Sequence, residues 1–210
     1  MGEITIVNWL GHSLLTDMFD LKTSTSECAR VFAEVEKYRA LKFLLLTKRP
    51  ENWMGILPTR WLLAWPKNVR LGFIAEDQRR FDERLRHAAN LRCAFIVPKV
   101  FVSYKPAIGE LSITSPIVRR NVDWVICGGE SDPYARPMKV EWARLVRDQC
   151  QAQGIPFFFE QWGDWFEQNL ICACTSPAGW TTLKPHGGNL LDGREWQQFP
   201  EKSAIFSTEK

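Results

Sequence analysis

Residues 43–50 have the sequence FLLLTKRP, in which an unbroken apolar run ends in a threonine and two cations. An apolar run of this kind, without polar alternation, is typical of a strand that is buried on both faces of a parallel sheet. Pro50 then suits the first turn of a helix, where its missing N–H has no hydrogen bond to lose. The stretch predicts a strand that leads directly into a helix, with polar residues at the junction.

Other segments of the chain have a similar strand-like composition. They are residues 4–9, 69–74, 95–102, 122–127 and 156–159. Pro98 places a break or a sheet edge inside the third of these segments, because proline cannot donate to a strand ladder. We therefore expect about six strands in total.

Helix signals lie between the predicted strands. Ser24 and Glu27 have the spacing of a capping box, and Asp77 suits the N-cap of a charged helix. Residues 139–153 predict a further helix, which Gly154 would end. The arginines of the charged helix are expected to form a solvated face: Arg79, Arg80, Arg84 and Arg86.

The repeated order of strand, helix and strand predicts parallel strands joined by helical crossovers. Six strands fit either an open sheet or an incomplete parallel β/α barrel of the TIM-like kind, since a complete barrel takes about 250 residues and this chain has 210. The segment from Trp162 onward is rich in glycine, proline and tryptophan. We predict a partial barrel over residues 1–161 and an irregular C-terminal cap of the same domain over residues 162–210.

Composition excludes several classes of protein. With 45% hydrophobic and 24% charged residues, the chain is too apolar for a disordered protein, and its net charge of +3 does not by itself identify a nucleic-acid binder. It has no signal-peptide pattern and no apolar run near the roughly 18 residues of a membrane span. Its six cysteines are scattered and suit free thiols. We expect a cytoplasmic protein with no membrane partner.

Polar residues follow several of the predicted strands, where α/β proteins bind their ligands. Together they predict a binding site with no metal, and no catalytic residue is assigned. The candidate ligand-binding residues are Lys48, Arg49, Glu76, Asp77, Gln78, Glu130, Ser131, Arg136, Glu160, Gln161 and Trp162.

Several of these residues belong to an ordered set of short motifs that extends from about residue 6 to residue 200. The motifs are LTKRP at 46–50, LG at 71–72, EDQ at 76–78, DWVICGGES at 123–131, ARP at 135–137, FFFEQWG at 157–163 and LLDGR at 190–194. As a set they resemble the phage-associated three-Cys-motif family, whose members look like radical S-adenosylmethionine proteins.

The resemblance implies an iron–sulfur cofactor, but this sequence does not contain the cysteine motif that would bind it. Family members carry a CxxxCxxC-type loop whose three thiolates bind a [4Fe–4S] cluster, and the open iron chelates S-adenosylmethionine. No three cysteines of this chain have that spacing. We expect no cofactor in this chain. The cluster and S-adenosylmethionine would be expected only if a longer product supplied the cysteine loop. The chain is then either a fragment or a shortened member.

The Gly-Gly-Glu segment at 128–130 resembles the one that holds the amino group of S-adenosylmethionine in that family. Here it follows a late strand, so that role is not carried over. Two alternatives remain for Glu130, which are binding a substrate amine and pairing with Arg136.

Three functions follow from these observations. The first is a radical-S-adenosylmethionine-like phage protein without its own cluster, which retains a strand-end pocket for a small-molecule or nucleotide-like ligand. The second is a non-enzymatic module that binds nucleic acid or protein, with phosphates held by Lys48, Arg49, Arg79 and Arg80 and bases stacked on tryptophan. The third is a hydrolase that uses two of Glu76, Glu130 and Glu160.

Overall fold

The computed structural model describes residues 17–95, 99–132, 134–164 and 187–200, and within these ranges strands and helices alternate as predicted. The strands are β1 (Phe43–Thr47), β2 (Val69–Ile74), β3 (Val100–Tyr104), β4 (Trp124–Gly128), β5 (Phe157–Gln161), β6 (Leu190–Leu191) and β7 (Arg194–Glu195). The helices are α1 (Thr25–Lys37), α2 (Trp53–Ile56), α3 (Thr59–Leu63), α4 (Gln78–Ala94), α5 (Pro116–Asn121) and α6 (Val140–Gln153), with a 3₁₀ turn at Pro50–Asn52. The strand predicted at 4–9 lies outside the described residues.

Strands β1 to β5 form one parallel sheet in which each strand pairs with the next along the chain. Leu45 of β1 lies opposite Leu71 of β2, for example, and Val102 of β3 lies opposite Val125 of β4. The prediction of an α/β protein with parallel strands is confirmed. Because the strands are parallel, their carboxyl ends all lie along one edge of the sheet.

The predicted helix boundaries are confirmed at three places. Ser24 Oγ accepts the backbone N–H of Glu27, and the Glu27 carboxylate accepts the backbone N–H of Ser24, so the capping box is complete. Asp77 Oδ1 accepts the N–H of Arg80 at 2.8 Å. Gly154 ends α6 with a φ of 68°, which glycine adopts without the strain of a Cβ.

The strand predicted over 95–102 is wrong in its first half. Helix α4 continues to Ala94, and Phe95 still donates its N–H to the carbonyl of Leu91. The strand itself begins at Val100. Residues 96–98, including Pro98, lie outside the described residues. The helix predicted to open at Pro50 is present as the 3₁₀ turn Pro50–Asn52, which continues into α2. The short helices α3 and α5 were not predicted, because five or six residues give too few turns for a periodic pattern.

The two faces of the sheet differ in what covers them. One face packs against buried residues of α1, α4, α5 and α6 in the main hydrophobic core. The opposite face carries a smaller cluster, in which the Trp124 ring lies 6.0 Å from Phe101, 6.1 Å from Phe158 and 5.6 Å from Phe199. Gly72 leaves room for this cluster, since a Cβ there would lie 2.1 Å from Cζ of Phe101. We call this side the aromatic face.

Residues 187–200, from the predicted cap, lie against the outer edge of the sheet. Phe159 of β5 donates its N–H to the carbonyl of Trp196 at 2.8 Å, which occupies part of the free edge of β5. Asp192 binds both Arg144 and Arg147 of α6. This segment therefore covers an edge that would otherwise be open to pairing with another chain.

Candidate functional site

The carboxyl ends of β1 to β4 place charged side chains along one edge of the sheet. Lys48 follows β1 directly, Glu76 lies two residues after β2, Lys105 follows β3 and Glu130 lies two residues after β4. We call this edge, with the side chains that contact it, the rim. It is the position at which parallel α/β proteins bind ligands.

Glu76 is held mainly by a buried arginine of α4. Arg84 donates from Nη1 to Glu76 Oε2 at 2.7 Å and to the carbonyl of Ile74 at 2.7 Å, and the side chains of Arg84 and Glu76 are only 11% and 15% exposed. Lys48 lies further away, with 3.9 Å between its Nζ and Glu76 Oε1, and is 58% exposed. Arg84 is therefore the main counter-charge of the Glu76 carboxylate, while the Lys48 ammonium is exposed to solvent.

The solvated role expected for Arg84 is wrong. Arg84 lies three residues after Phe81 and four before Ala88, both of which are buried in the core. Side chains at those spacings share one face of a helix, so the inner position of Arg84 follows from the sequence and was missed. Arg79 and Arg80, in contrast, are more exposed and both pair with Glu83.

Glu130 pairs with Arg136, as the second of the two alternatives expected. Arg136 donates from its Nη2 and Nε to the two carboxylate oxygens at 2.6 and 2.9 Å, and its backbone N–H also donates to Glu130 at 2.8 Å. These hydrogen bonds, with the charges of Arg136 and Lys48, lower the pKa of Glu130 to about 2. Both oxygens of Glu130 are therefore engaged, and Arg136 remains 56% exposed.

The titration of Glu130 is a direct test of this pairing. Since its pKa lies at about 2 in the folded protein, against an ordinary 4.5, Glu130 stabilises the fold above about pH 4.5. That contribution is lost as the pH falls from 4.5 towards 2. We expect NMR of the side-chain carboxyl carbon to give a midpoint near 2, and Arg136→Gln to raise it. Arg144→Gln should leave it unchanged, and a wild-type midpoint near 4.5 would contradict the pairing.

The two ion-pair groups form one charged cluster. The charge of Lys48 contributes to the lowered pKa of Glu130, and the charge of Glu76 contributes to the raised pKa of Arg136. Strands β1 and β4 are separated by two other strands, so the loops after them bring these side chains together. We call Lys48, Glu76, Arg84, Glu130 and Arg136 the rim cluster.

A second ion pair crosses β4 beside the rim cluster. Lys105 Nζ, after β3, lies 2.7 Å from Glu160 Oε1 of β5. It passes over Gly128, where a Cβ would lie 3.4 Å from Cδ of Lys105 and 3.6 Å from Cβ of Glu160. Lys105 was missed because the end of its strand was placed two residues too early, at Val102 and not at Tyr104.

The Gly-Gly-Glu segment and the loop after β5 approach each other through their backbones. A Cβ on Gly129 would lie 1.7 Å from the carbonyl oxygen of Trp162, and one on Gly163 would lie 2.3 Å from the carbonyl oxygen of Glu130. Gly163 also has a φ of 88°. Trp162 itself is 5% exposed and packs on Phe159, so it belongs to the core and not to an open wall of the rim.

The other predicted site residues have partners outside the rim cluster. Arg49 Nη1 lies 2.7 Å from Asp20 Oδ2. Asp77 caps α4, and Gln78 accepts the N–H of Ser112 at 2.7 Å. Ser131 and Gln161 hydrogen-bond to each other.

Asp17 is a further residue that sequence reasoning missed. Its carboxylate accepts the hydroxyl of Thr47 at 2.6 Å and the backbone N–H of Lys48 at 2.8 Å, and so fixes the chain where β1 ends. It lies 30 residues before Thr47, and no local pattern marks it. Asp17 therefore orients the backbone from which Lys48 extends.

The described residues do not fit an iron–sulfur cluster. They contain no group of three or more histidine, cysteine, aspartate and glutamate side chains arranged to hold a metal ion. Burial raises the pKa of the Cys127 and Cys150 thiols, which disfavours the thiolate that binds iron. Cys172 and Cys174 lie outside the described ranges. No helix in the described part of the chain is long and apolar enough to cross a membrane.

Comparison with protein families gives one result. The model of a family described as a protein of unknown function, DUF5131, matches residues 9–200. The chain belongs to this family. Searches of curated proteins and of solved structures found no match. The DUF5131 match spans β1 to β5, the rim cluster and the segment that covers the edge of β5.

Proposed function

We propose that this DUF5131 protein is a radical-S-adenosylmethionine-like phage protein that binds a small ligand at the rim through the ligand's carboxylate or phosphate group, without a cluster of its own. The observation that carries the proposal is the rim cluster. In this cluster, two exposed cations, Lys48 and Arg136, each pair with a largely buried carboxylate. Such an arrangement offers Lys48 and Arg136 to an incoming carboxylate or phosphate. With Arg84, the rim cluster has three cations and two carboxylates, so one positive charge remains for a ligand.

The sheet supports the barrel part of this proposal. Its strands follow one another in sequential order, whereas an open doubly wound sheet reverses its order at a switch point. The main core packs the described helices α1, α4, α5 and α6 against one face, while the opposite face carries aromatic rings. We infer that β1 to β5 are the wall of an incomplete parallel β/α barrel and that the aromatic face lines its inside.

Carboxylate-dependent hydrolysis is less well supported. A hydrolase of that kind needs one carboxyl group that stays protonated near neutral pH. Glu130 has a pKa of about 2 and is ionised there. Glu76 is contacted by two cations, and Glu160 by Lys105. The geometry favours binding over acid–base chemistry.

Nucleic-acid binding at the predicted cations is also less well supported. Arg49, Arg79 and Arg80 each pair with a carboxylate at 3.3 Å or less, which lowers the positive potential available to phosphates, whereas the pair of Lys48 is longer, at 3.9 Å. The pairs are Lys48 with Glu76, Arg49 with Asp20, and Arg79 and Arg80 with Glu83.

Ligand binding at the rim can be tested by thermal shift and calorimetry. We expect S-adenosylmethionine, which carries a carboxylate, to stabilise the wild type more than adenosine or glucose does. Lys48→Ala and Arg136→Ala should each weaken its affinity by about tenfold, equal to about 1.4 kcal/mol. Glu130→Ala should weaken it too, because Arg136 loses the partner that orients it.

Lys37→Ala is the matched control, since Lys37 is an exposed lysine that pairs with Glu34 in α1, away from the rim. It should bind as the wild type does. The proposal fails if none of the three compounds stabilises the wild type, or if Lys48→Ala and Arg136→Ala bind S-adenosylmethionine as tightly as Lys37→Ala.

A further inference from the structure

A cavity lies at the end of the sheet opposite the rim. It has a volume of about 730 Å³ and lies between the C-terminal part of α1, α3 and residues 64–68, which lead into the amino end of β2. Pockets for small molecules commonly measure about 300–1,000 Å³. We call this cavity the amino-end pocket.

The charges around the amino-end pocket favour an anion. It is lined by three cations, Arg39, Arg60 and Lys67, and by one carboxylate, Glu36. Glu36 accepts hydrogen bonds from Arg60 Nε at 2.7 Å and from Trp61 Nε1 at 2.5 Å, and these lower its pKa. Three cations thus face one carboxylate, which leaves the charged lining with a net charge of +2.

Part of that positive charge is free to meet a ligand. Arg60 uses its Nε for Glu36, and within the described ranges no carboxylate pairs with its terminal nitrogens or with Lys67. The side chain of Arg60 is 62% exposed. Arg39, two residues after the end of α1, donates from Nε to the carbonyl of Glu36, a weak contact of 3.4 Å.

A tryptophan forms a fixed wall beside these cations. Trp65 donates from Nε1 to the carbonyl of Val69 at 3.0 Å, and its ring meets the ring of Trp61 edge-on at 5.6 Å. Trp61 is fully buried and packs on Phe32 in turn. Trp65 is only partly buried, so its remaining surface lines the pocket in one set orientation.

We propose that the amino-end pocket binds a nucleotide, with its phosphate on Arg39, Arg60 and Lys67 and its base against Trp65. An aromatic ring beside guanidinium and ammonium groups matches a planar base linked to a phosphate, and every base has a face that can stack. The same unit is present in a free nucleotide and in a single strand of nucleic acid. This site is separate from the rim and does not depend on the function proposed there.

The test compares thymidine, thymidine 5′-monophosphate and oligothymidylate by calorimetry at low salt. We expect the monophosphate to bind at least tenfold more tightly than thymidine, and the double variant Arg39→Ala/Lys67→Ala to lose about tenfold in its affinity. Trp65→Phe should weaken the binding of thymidine and of its monophosphate by a similar factor, because both ligands carry the base. If oligothymidylate binds at least tenfold more tightly than the monophosphate, the ligand is a strand, and otherwise it is a free nucleotide.

Two controls separate this site from the rest of the surface. Arg30→Ala removes an exposed cation of α1 and Arg86→Ala removes one of α4, both outside the pocket, and both variants should bind the monophosphate as the wild type does. Circular dichroism of each variant verifies its fold. The proposal is overturned if the wild type binds neither the monophosphate nor oligothymidylate, or if Arg30→Ala or Arg86→Ala weakens binding as much as Arg39→Ala/Lys67→Ala does.

Discussion

Gly129→Ala should destabilise the folded protein by about 3 kcal/mol or more. The new Cβ would lie 1.7 Å from the carbonyl oxygen of Trp162 and 2.4 Å from its carbonyl carbon. These are backbone atoms, so no side-chain rotation relieves the clash, and the loops after β4 and β5 must separate. For a chain of this size the change corresponds to a fall in Tm of about 6–12 °C, measurable by calorimetry.

Gly55→Ala is the control for this substitution. Gly55 lies in α2, and a Cβ there meets nothing within 4 Å, so the variant should remain within about 1 kcal/mol of the wild type. Gly163→Ala should behave like Gly129→Ala, because it faces the carbonyl oxygen of Glu130 and has a positive φ. A Gly129→Ala protein that melts with the wild type would show that the two loops do not pack as described.

Arg84→Met should destabilise the protein by about 2–4 kcal/mol. Methionine keeps much of the side-chain volume but removes the guanidinium, which leaves the largely buried Glu76 side chain and the carbonyl of Ile74 without this donor. Lys48 cannot compensate, since its ammonium lies 3.9 Å away and faces solvent. Urea denaturation gives the change in the free energy of unfolding.

A double-mutant cycle identifies the cause of that loss. Glu76→Gln removes the buried charge, so Arg84→Met should cost at least about 1 kcal/mol less in the Glu76→Gln background. Arg86→Met is the matched control, because Arg86 is an exposed arginine of the same helix. If Arg84→Met and Arg86→Met have equal effects on the free energy of unfolding, the pairing of Arg84 with Glu76 contributes nothing.

Local elements were predicted well wherever their causes lie within a few residues. The capping box of Ser24 and Glu27, the cap at Asp77 and the stop at Gly154 each depend on one turn of chain. The apolar runs of β1 and β2 were recognised with their boundaries nearly intact. The parallel arrangement followed from the order of these elements, because helical crossovers return the chain to the same end of a sheet.

The rim was predicted in position but not in its pairings. Strand ends showed that Lys48, Glu76 and Glu130 would lie along one edge of the sheet, and the structure brings them into one cluster. Arg84 was assigned to solvent although its helical spacing from buried residues was visible. Lys105 was missed because residues 95–102 were taken as one strand.

Residue types and local spacing thus determine the helix caps, the buried strands and the edge at which polar residues gather. Local spacing does not determine the partner of each charge, since Asp17 pairs with Thr47 across 30 residues of sequence and Lys105 with Glu160 across 55. The same holds for Gly129, whose lack of a side chain matters only because Trp162 lies against it. These contacts depend on how the strands align in register and how closely their loops approach. Packing of the whole sheet sets both, and no short segment of sequence contains that information.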